Sequence, residues 1–194
     1  IGGGKTSLVR ALAAQLGDAA VIHFDSYEKL SEQPMRDIAA WMAAGARFDE
    51  FHLPRLAAAI GDLKEGRPVV DPLNGREIRP CPHILFETPL GREHAETGAY
   101  IDRLVWIDVP LEVALARKIA EHTAIFLEKY RPEDHAGCLQ WLQRYLKQYL
   151  SHVRDLLVTQ RQRLAADADI VVDGAADPDS LAREVIEQLP LEGR

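Results

Sequence analysis

Leu8, Leu12 and Leu16, with Val9 and Ala13 beside them, set an apolar stripe at helical spacing from Lys5 onward, and Gly17 ends it as a helix-terminating glycine would. Ala19 to Phe24 is a short, mostly apolar run that predicts a strand. Helical patterns follow over Pro34 to Ala46 and again up to Gly66, the second with Leu56, Ile60 and Leu63 on its buried face. Pro68 to Pro82 is rich in Pro, Gly and charge and predicts an extended excursion or irregular hairpin. His83 to Phe86 is a second strand, ending at Glu87. Leu104 to Val109 is nearly all apolar, as expected of a strand covered on both faces.

A helix is predicted from Leu111 to about Tyr130, with Pro110 at its start. From Pro132 the recurrence of Leu139, Leu142, Leu146, Leu150, Val153 and Leu157 predicts one long amphipathic helix. Ala168 to Gly174 reads as the last strand and Pro178 to Leu189 as the closing helix. Strands alternating with helices predict one α/β domain spanning residues 1–194, with a doubly wound, mainly parallel sheet flanked by helices.

Composition narrows this picture without redirecting it. The 194 residues suffice for one such domain with a substantial core, and 47% hydrophobic with 27% charged residues is ordinary for a globular protein. A net charge of −7 argues against nucleic acid as the main partner, and no apolar run approaches the roughly 20 residues of a membrane span. Cys81 and Cys138 lie far apart, so free thiols in a cytoplasmic protein are the default expectation. The pairs Cys81/His83 and His135/Cys138 lack the ligand spacing of a zinc module. Lys147, Arg154 and Arg161 share a helix face, and a solvated basic stripe is favoured there over a phosphate grip.

The chemistry concentrates at the opening stretch, Ile1-Gly2-Gly3-Gly4-Lys5-Thr6-Ser7. It reads as the back half of the phosphate-binding pattern Gly-x-x-x-x-Gly-Lys-Ser/Thr, with its first glycine and a preceding buried strand expected ahead of Ile1. Gly2, Gly3 and Gly4 would let backbone N–H groups converge on phosphate oxygens, at a helix N-terminus that adds partial positive charge. Lys5 would reach the β- and γ-phosphates, and Thr6 would ligate Mg²⁺ through its hydroxyl. Asp25 lies where the first strand should end, facing the same crevice. It can cap a turn there or, in a kinase, accept the proton of an acceptor hydroxyl. Glu87 ends the second strand and suits the acidic residue that holds Mg²⁺ or its water shell.

Taken in order, these segments resemble the uridine kinase and phosphoribulokinase family of P-loop kinases, and the resemblance covers essentially the whole chain. Gly4-Lys5-Thr6-Ser7 is similar to the family's phosphate loop, and Asp25-Ser26-Tyr27 to its Asp-Ser-Phe-Tyr segment, one residue shorter. The Leu63-Lys64-Glu65-Gly66 turn before Pro72 resembles the approach to its substrate loop. Leu85-Phe86-Glu87 resembles its Val-Glu-Gly strand end, Leu115-Ala116-Arg117-Lys118-Ile119 its Leu-x-Arg-Arg helix, and Ala168 to Val172 its Ala-Asp-x-Ile-Ile strand.

The resemblance implies ATP and Mg²⁺, transfer of the γ-phosphoryl group to a small-molecule hydroxyl, and Asp25 as general base. It implies that Arg117 leans over the phosphates, that a helical lid spans about 117–147, and that Tyr27 and Gln148, beside Tyr149, lie near the substrate. A homo-oligomer is compatible with all of this.

The departures bear on the acceptor. His52 stands where nucleoside-phosphorylating members place an Asp, and the Tyr and His of their base-binding loop have no counterpart around Leu73 to Arg79. A substrate-pocket role for His52 is weighed against a packed histidine at a helix start, and Arg76 and Arg79 as anchors of an acidic substrate group against ordinary loop solvation. In the lid, Lys118 replaces the second arginine, the next basic position is Glu121, and a longer insert carries Lys129 and Arg131. Two other readings therefore stand beside a uridine kinase-like enzyme. One is a kinase of a non-nucleoside alcohol such as a sugar phosphate or a pantothenate-like acid; the other is a nucleotide-binding regulatory module without turnover.

Overall fold

The computed structural model describes residues 2–28, 38–129, 131 and 135–189. Its helices are α1 (Lys5–Leu16), α2 (Phe24–Glu28), α3 (Ile38–Ala43), α4 (Pro54–Lys64), α5 (Ala95–Gly98), α6 (Leu111–Lys129), α7 (His135–Gln148), α8 (Arg154–Leu164) and α9 (Pro178–Gln188). Its strands are β1 (Ala19–His23), β2 (Val69–Val70), β3 (Glu77–Ile78), β4 (His83–Glu87), β5 (Val105–Asp108) and β6 (Ile170–Asp173). The helix expected over Pro34 to Ala46 is described only from Ile38, so its start lies outside the described residues.

Strand β1 runs parallel to β4, with Ala19 opposite His83 and His23 opposite Glu87. Strand β5 runs parallel to β6, and β2 pairs antiparallel with β3 as the small hairpin of the Pro/Gly-rich excursion. Successive strand side chains point to opposite faces, and the core divides accordingly. Ile22 of β1 and the flanking Ile84 and Phe86 of β4 pack with Phe48, Leu56, Ile60 and Leu63 on the α4 side. Leu85 of β4, with Val105 and Ile107 of β5, packs on the opposite side against Leu8 and Leu12 of α1 and Leu181 and Val185 of α9. Trp106 of β5 turns back to the α4 side. Both parallel pairs thus lie in one middle layer with helices on either face, a mixed α/β architecture.

The two pairs do not join into one ladder among the described residues. Between β4 and β5 lies a cavity of about 450 Å³, lined by Ile84, Leu85, Phe86, Val105 and Ile107 from the strands, by Leu104 just before β5 and by Leu8 and Leu12 from α1. It has the apolar faces and open strand edges that a buried parallel strand would need.

The single long helix expected after Pro132 is instead α7 and α8 joined by a π-helical turn, Tyr149–Val153. The wider turn adds a residue and rotates the stripe, so Tyr149 is buried while Leu150 is 76% exposed. The start of that predicted helix, residues 132–134, lies outside the described residues.

Candidate active site

Gly4 adopts φ 80° and ψ 7° immediately before α1, a left-handed conformation that glycine takes without a Cβ penalty. No side chain caps α1; its first intrahelical bond runs from the Leu8 N–H to the Gly4 carbonyl. The N–H groups of Lys5, Thr6 and Ser7 therefore lie in the unsatisfied first turn of a helix of 12 residues, where anions are stabilised. Gly2 holds the loop against α6: with φ 61°, a Cβ there would fall 2.0 Å from the Ala114 carbonyl oxygen. Any larger residue would push the loop off that helix.

Thr6 sits in the first turn of α1, and its hydroxyl donates to Glu87 Oε2 at 2.8 Å. Glu87 reaches it because β4 ends beside the loop, and its side chain is only 9% exposed. The other carboxylate oxygen, Oε1, lies 2.8 Å from His23 Nδ1 at the end of β1. A hydroxyl and a carboxylate side by side at a helix N-terminus form an all-oxygen donor set, the kind that Mg²⁺ accepts together with phosphate oxygens and water. These residues fit the cation; Thr6 and Glu87 would hold it.

Asp25 follows β1 directly, in the first turn of α2, and is exposed, with no ion pair or hydrogen bond to its carboxylate among the described residues. Its neighbours turn inward. Ser26 and Tyr27 are buried, Ser26 Oγ donates to Asp71 Oδ2 at 3.2 Å, and the Tyr27 hydroxyl is buried without a partner. Burial, reinforced by the nearby Asp71 charge, raises the Tyr27 pKa above its ordinary value. Asp71 is 5% exposed, and its Oδ1 accepts from the N–H groups of Leu73 and Asn74. It fastens the hairpin between β2 and β3 to α2. The sequence carried one sign of this, an Asp-Pro pair at a turn, and no sign of its partner 45 positions earlier.

The remaining predicted residues lie exposed or are held by other partners. Arg117, on α6, donates to the Gly174 carbonyl at 2.7 Å, which ties it to the turn after β6. His52 is exposed and lies 3.2 Å from Glu96, whose other oxygen accepts from the Leu53 N–H at the start of α4. Arg79 is exposed and lies 3.7 Å from Glu77 on the hairpin. Gln148 is exposed at the end of α7, next to the π-helical turn. In the predicted lid, His122 of α6 stacks on Trp141 of α7 at 3.4 Å between ring centroids, and Trp141 stacks on Tyr145. Lys118 pairs with Glu121 within α6.

Arg161, on the predicted basic stripe, is exposed, pairs with Asp108 at 2.7 Å and lines a second cavity together with Gly3 and Lys5. Both cysteines are free, and among the described residues no group of three or more His, Cys, Asp or Glu is placed to hold a metal. No described helix is long and apolar enough to cross a membrane.

A glycine loop capping a helix beside a strand-end acid, in a parallel α/β layer, is compatible with a P-loop kinase fold. The chain is similar, at 26% identity over 120 residues, to a dephospho-CoA kinase of Burkholderia lata. That stretch takes in 61% of this chain and spans about half, 49%, of the relative's length. The likeness supports kinship with P-loop kinases and goes no finer. No protein-family profile matches the chain.

Proposed function

We propose that this chain is the nucleotide-binding and catalytic part of an ATP- and Mg²⁺-dependent kinase that phosphorylates a hydroxyl of a small molecule. The observation that carries this reading is the Thr6–Glu87 contact of 2.8 Å beside the unsatisfied amides of the Gly2–Ser7 loop. In this reading the loop amides and Lys5 bind and orient the phosphates, and Thr6 with Glu87 holds the cation. Bound there, Mg²⁺ would offset charge on the phosphate oxygens. Asp25 orients the acceptor hydroxyl and takes its proton. The cavity between β4 and β5 is the seat of the strand that leads into the loop.

The acceptor is the finer question. Resemblance to uridine kinases favours a nucleoside, while similarity to a dephospho-CoA kinase favours a larger, anionic, nucleotide-bearing alcohol. His52 is exposed and 3.2 Å from Glu96, and a role for it in the acceptor pocket is part of this proposal. ADP release measured over uridine, a sugar phosphate, pantothenate and dephospho-CoA separates these substrates. Release on any one supports kinase activity. Tight ATP binding with no release on any would favour a regulatory module.

A further inference from the structure

We propose that His23 is a positioning residue that holds the Glu87 carboxylate in the orientation that engages Thr6. This deepens the metal-binding role given above to Thr6 and Glu87 and rests on that reading.

The parallel register sets His23 directly opposite Glu87 at the last rung of the β1–β4 ladder, so both side chains leave the sheet at its carboxyl end. His23 Nδ1 is 2.8 Å from Oε1, and Thr6 Oγ1 is 2.8 Å from Oε2. A carboxylate offers only acceptors, so the Nδ1–H of His23 must donate. With Oε1 fixed from the β1 side, the carboxyl plane is set and Oε2 is directed across the strand end to the first turn of α1. A Glu side chain has three rotatable bonds, and nothing else among the described residues hydrogen-bonds this carboxylate. Partners of this kind, one bond removed from a ligand, usually alter metal affinity by about 10–100-fold when lost.

The test titrates Mg²⁺ against binding of a fluorescent ATP analogue to the whole chain, in wild type and in His23→Ala, His23→Asn, His23→Gln and Glu87→Gln. The expected result for His23→Ala is a half-saturating Mg²⁺ concentration raised about tenfold, with affinity for the analogue in EDTA unchanged. His23→Asn, whose amide nitrogen falls near the position of Nδ1, should recover most of the loss; His23→Gln, whose nitrogen falls near Nε2, should not. A wild-type Mg²⁺ requirement in His23→Ala, or equal requirements in the Asn and Gln variants, overturns the proposal. The Asn and Gln pair carries the test alone if His23→Ala does not fold. If Glu87→Gln shifts the requirement and His23→Ala does not, only the positioning role fails. If neither moves it, the metal reading of Thr6 and Glu87 fails with it.

Discussion

Asp25, at the end of β1, has no carboxylate partner among the described residues, whereas Glu87, at the end of the neighbouring β4, has both oxygens engaged. That contrast suits the two acids to the different work proposed for them. A free carboxylate can accept a proton from an acceptor hydroxyl, and a braced one suits a cation. Asp25→Asn should therefore abolish phosphoryl transfer, measured as ADP release, while ATP affinity stays within about twofold, roughly 0.4 kcal/mol. Turnover at a comparable rate would remove Asp25 from the role of base. Leu56 tests the scaffold instead of the chemistry. It is fully buried on α4, and Leu56→Ala should cost about 3 kcal/mol in chemical denaturation.

At the scale of elements, two carboxylates anchor the β6 end of the fold. Asp177 caps α9 by accepting from the Ser180 N–H at 3.0 Å, and hydrogen bonding to Ser180 lowers its pKa. Asp169, just before β6, accepts from the Leu104 N–H at 2.7 Å and pairs with Arg92. The Leu104 bond first and Arg92 next hold its pKa below the ordinary value. Because both folded-state values are depressed, the stability they contribute is complete above the unfolded value, about pH 4. It is lost as pH falls from there through the folded values. Asp169→Asn should lower the melting temperature at pH 7 and flatten its fall on acidification below pH 4. An unchanged acid limb would contradict this.

The elements themselves were legible in the sequence where periodicity is strong. The α1 stripe, the apolar run of β5 and the Pro178 start of α9 fall within a residue or two of their predicted bounds. Short or tertiary-dependent features were not. Helix α2 is only five residues long and begins inside the expected strand end, and the π-helical turn breaks a stripe that reads as continuous. Buried polar pairs were hidden for another reason. His94 is fully buried between Thr97 and the Phe51 carbonyl, and the latter partner lies 43 positions away. The acids of the site could be placed from strand ends, but His23, which reads as one more strand residue, gained meaning only from the β1–β4 register.

At the scale of the whole molecule, two parallel pairs share one layer, with an apolar cavity between their facing edges. Joining an apolar strand of about five residues ahead of Ile1 should fill that cavity. The melting temperature should then rise and binding of an environment-sensitive apolar dye should fall; no change in either would contradict the seat proposed for the strand. The same layer carries the loop, β1 and β4 to one end, which is why Lys5, Thr6, His23 and Glu87 converge although they come from three elements. The central claim is that the Gly2–Ser7 loop at this convergence binds the phosphates of ATP, and Lys5 offers the most direct test of it. Equilibrium titration with ATP and Mg²⁺ should give saturable binding that Lys5→Ala weakens at least about tenfold, ~1.4 kcal/mol. Equal affinity in the two proteins would contradict the account.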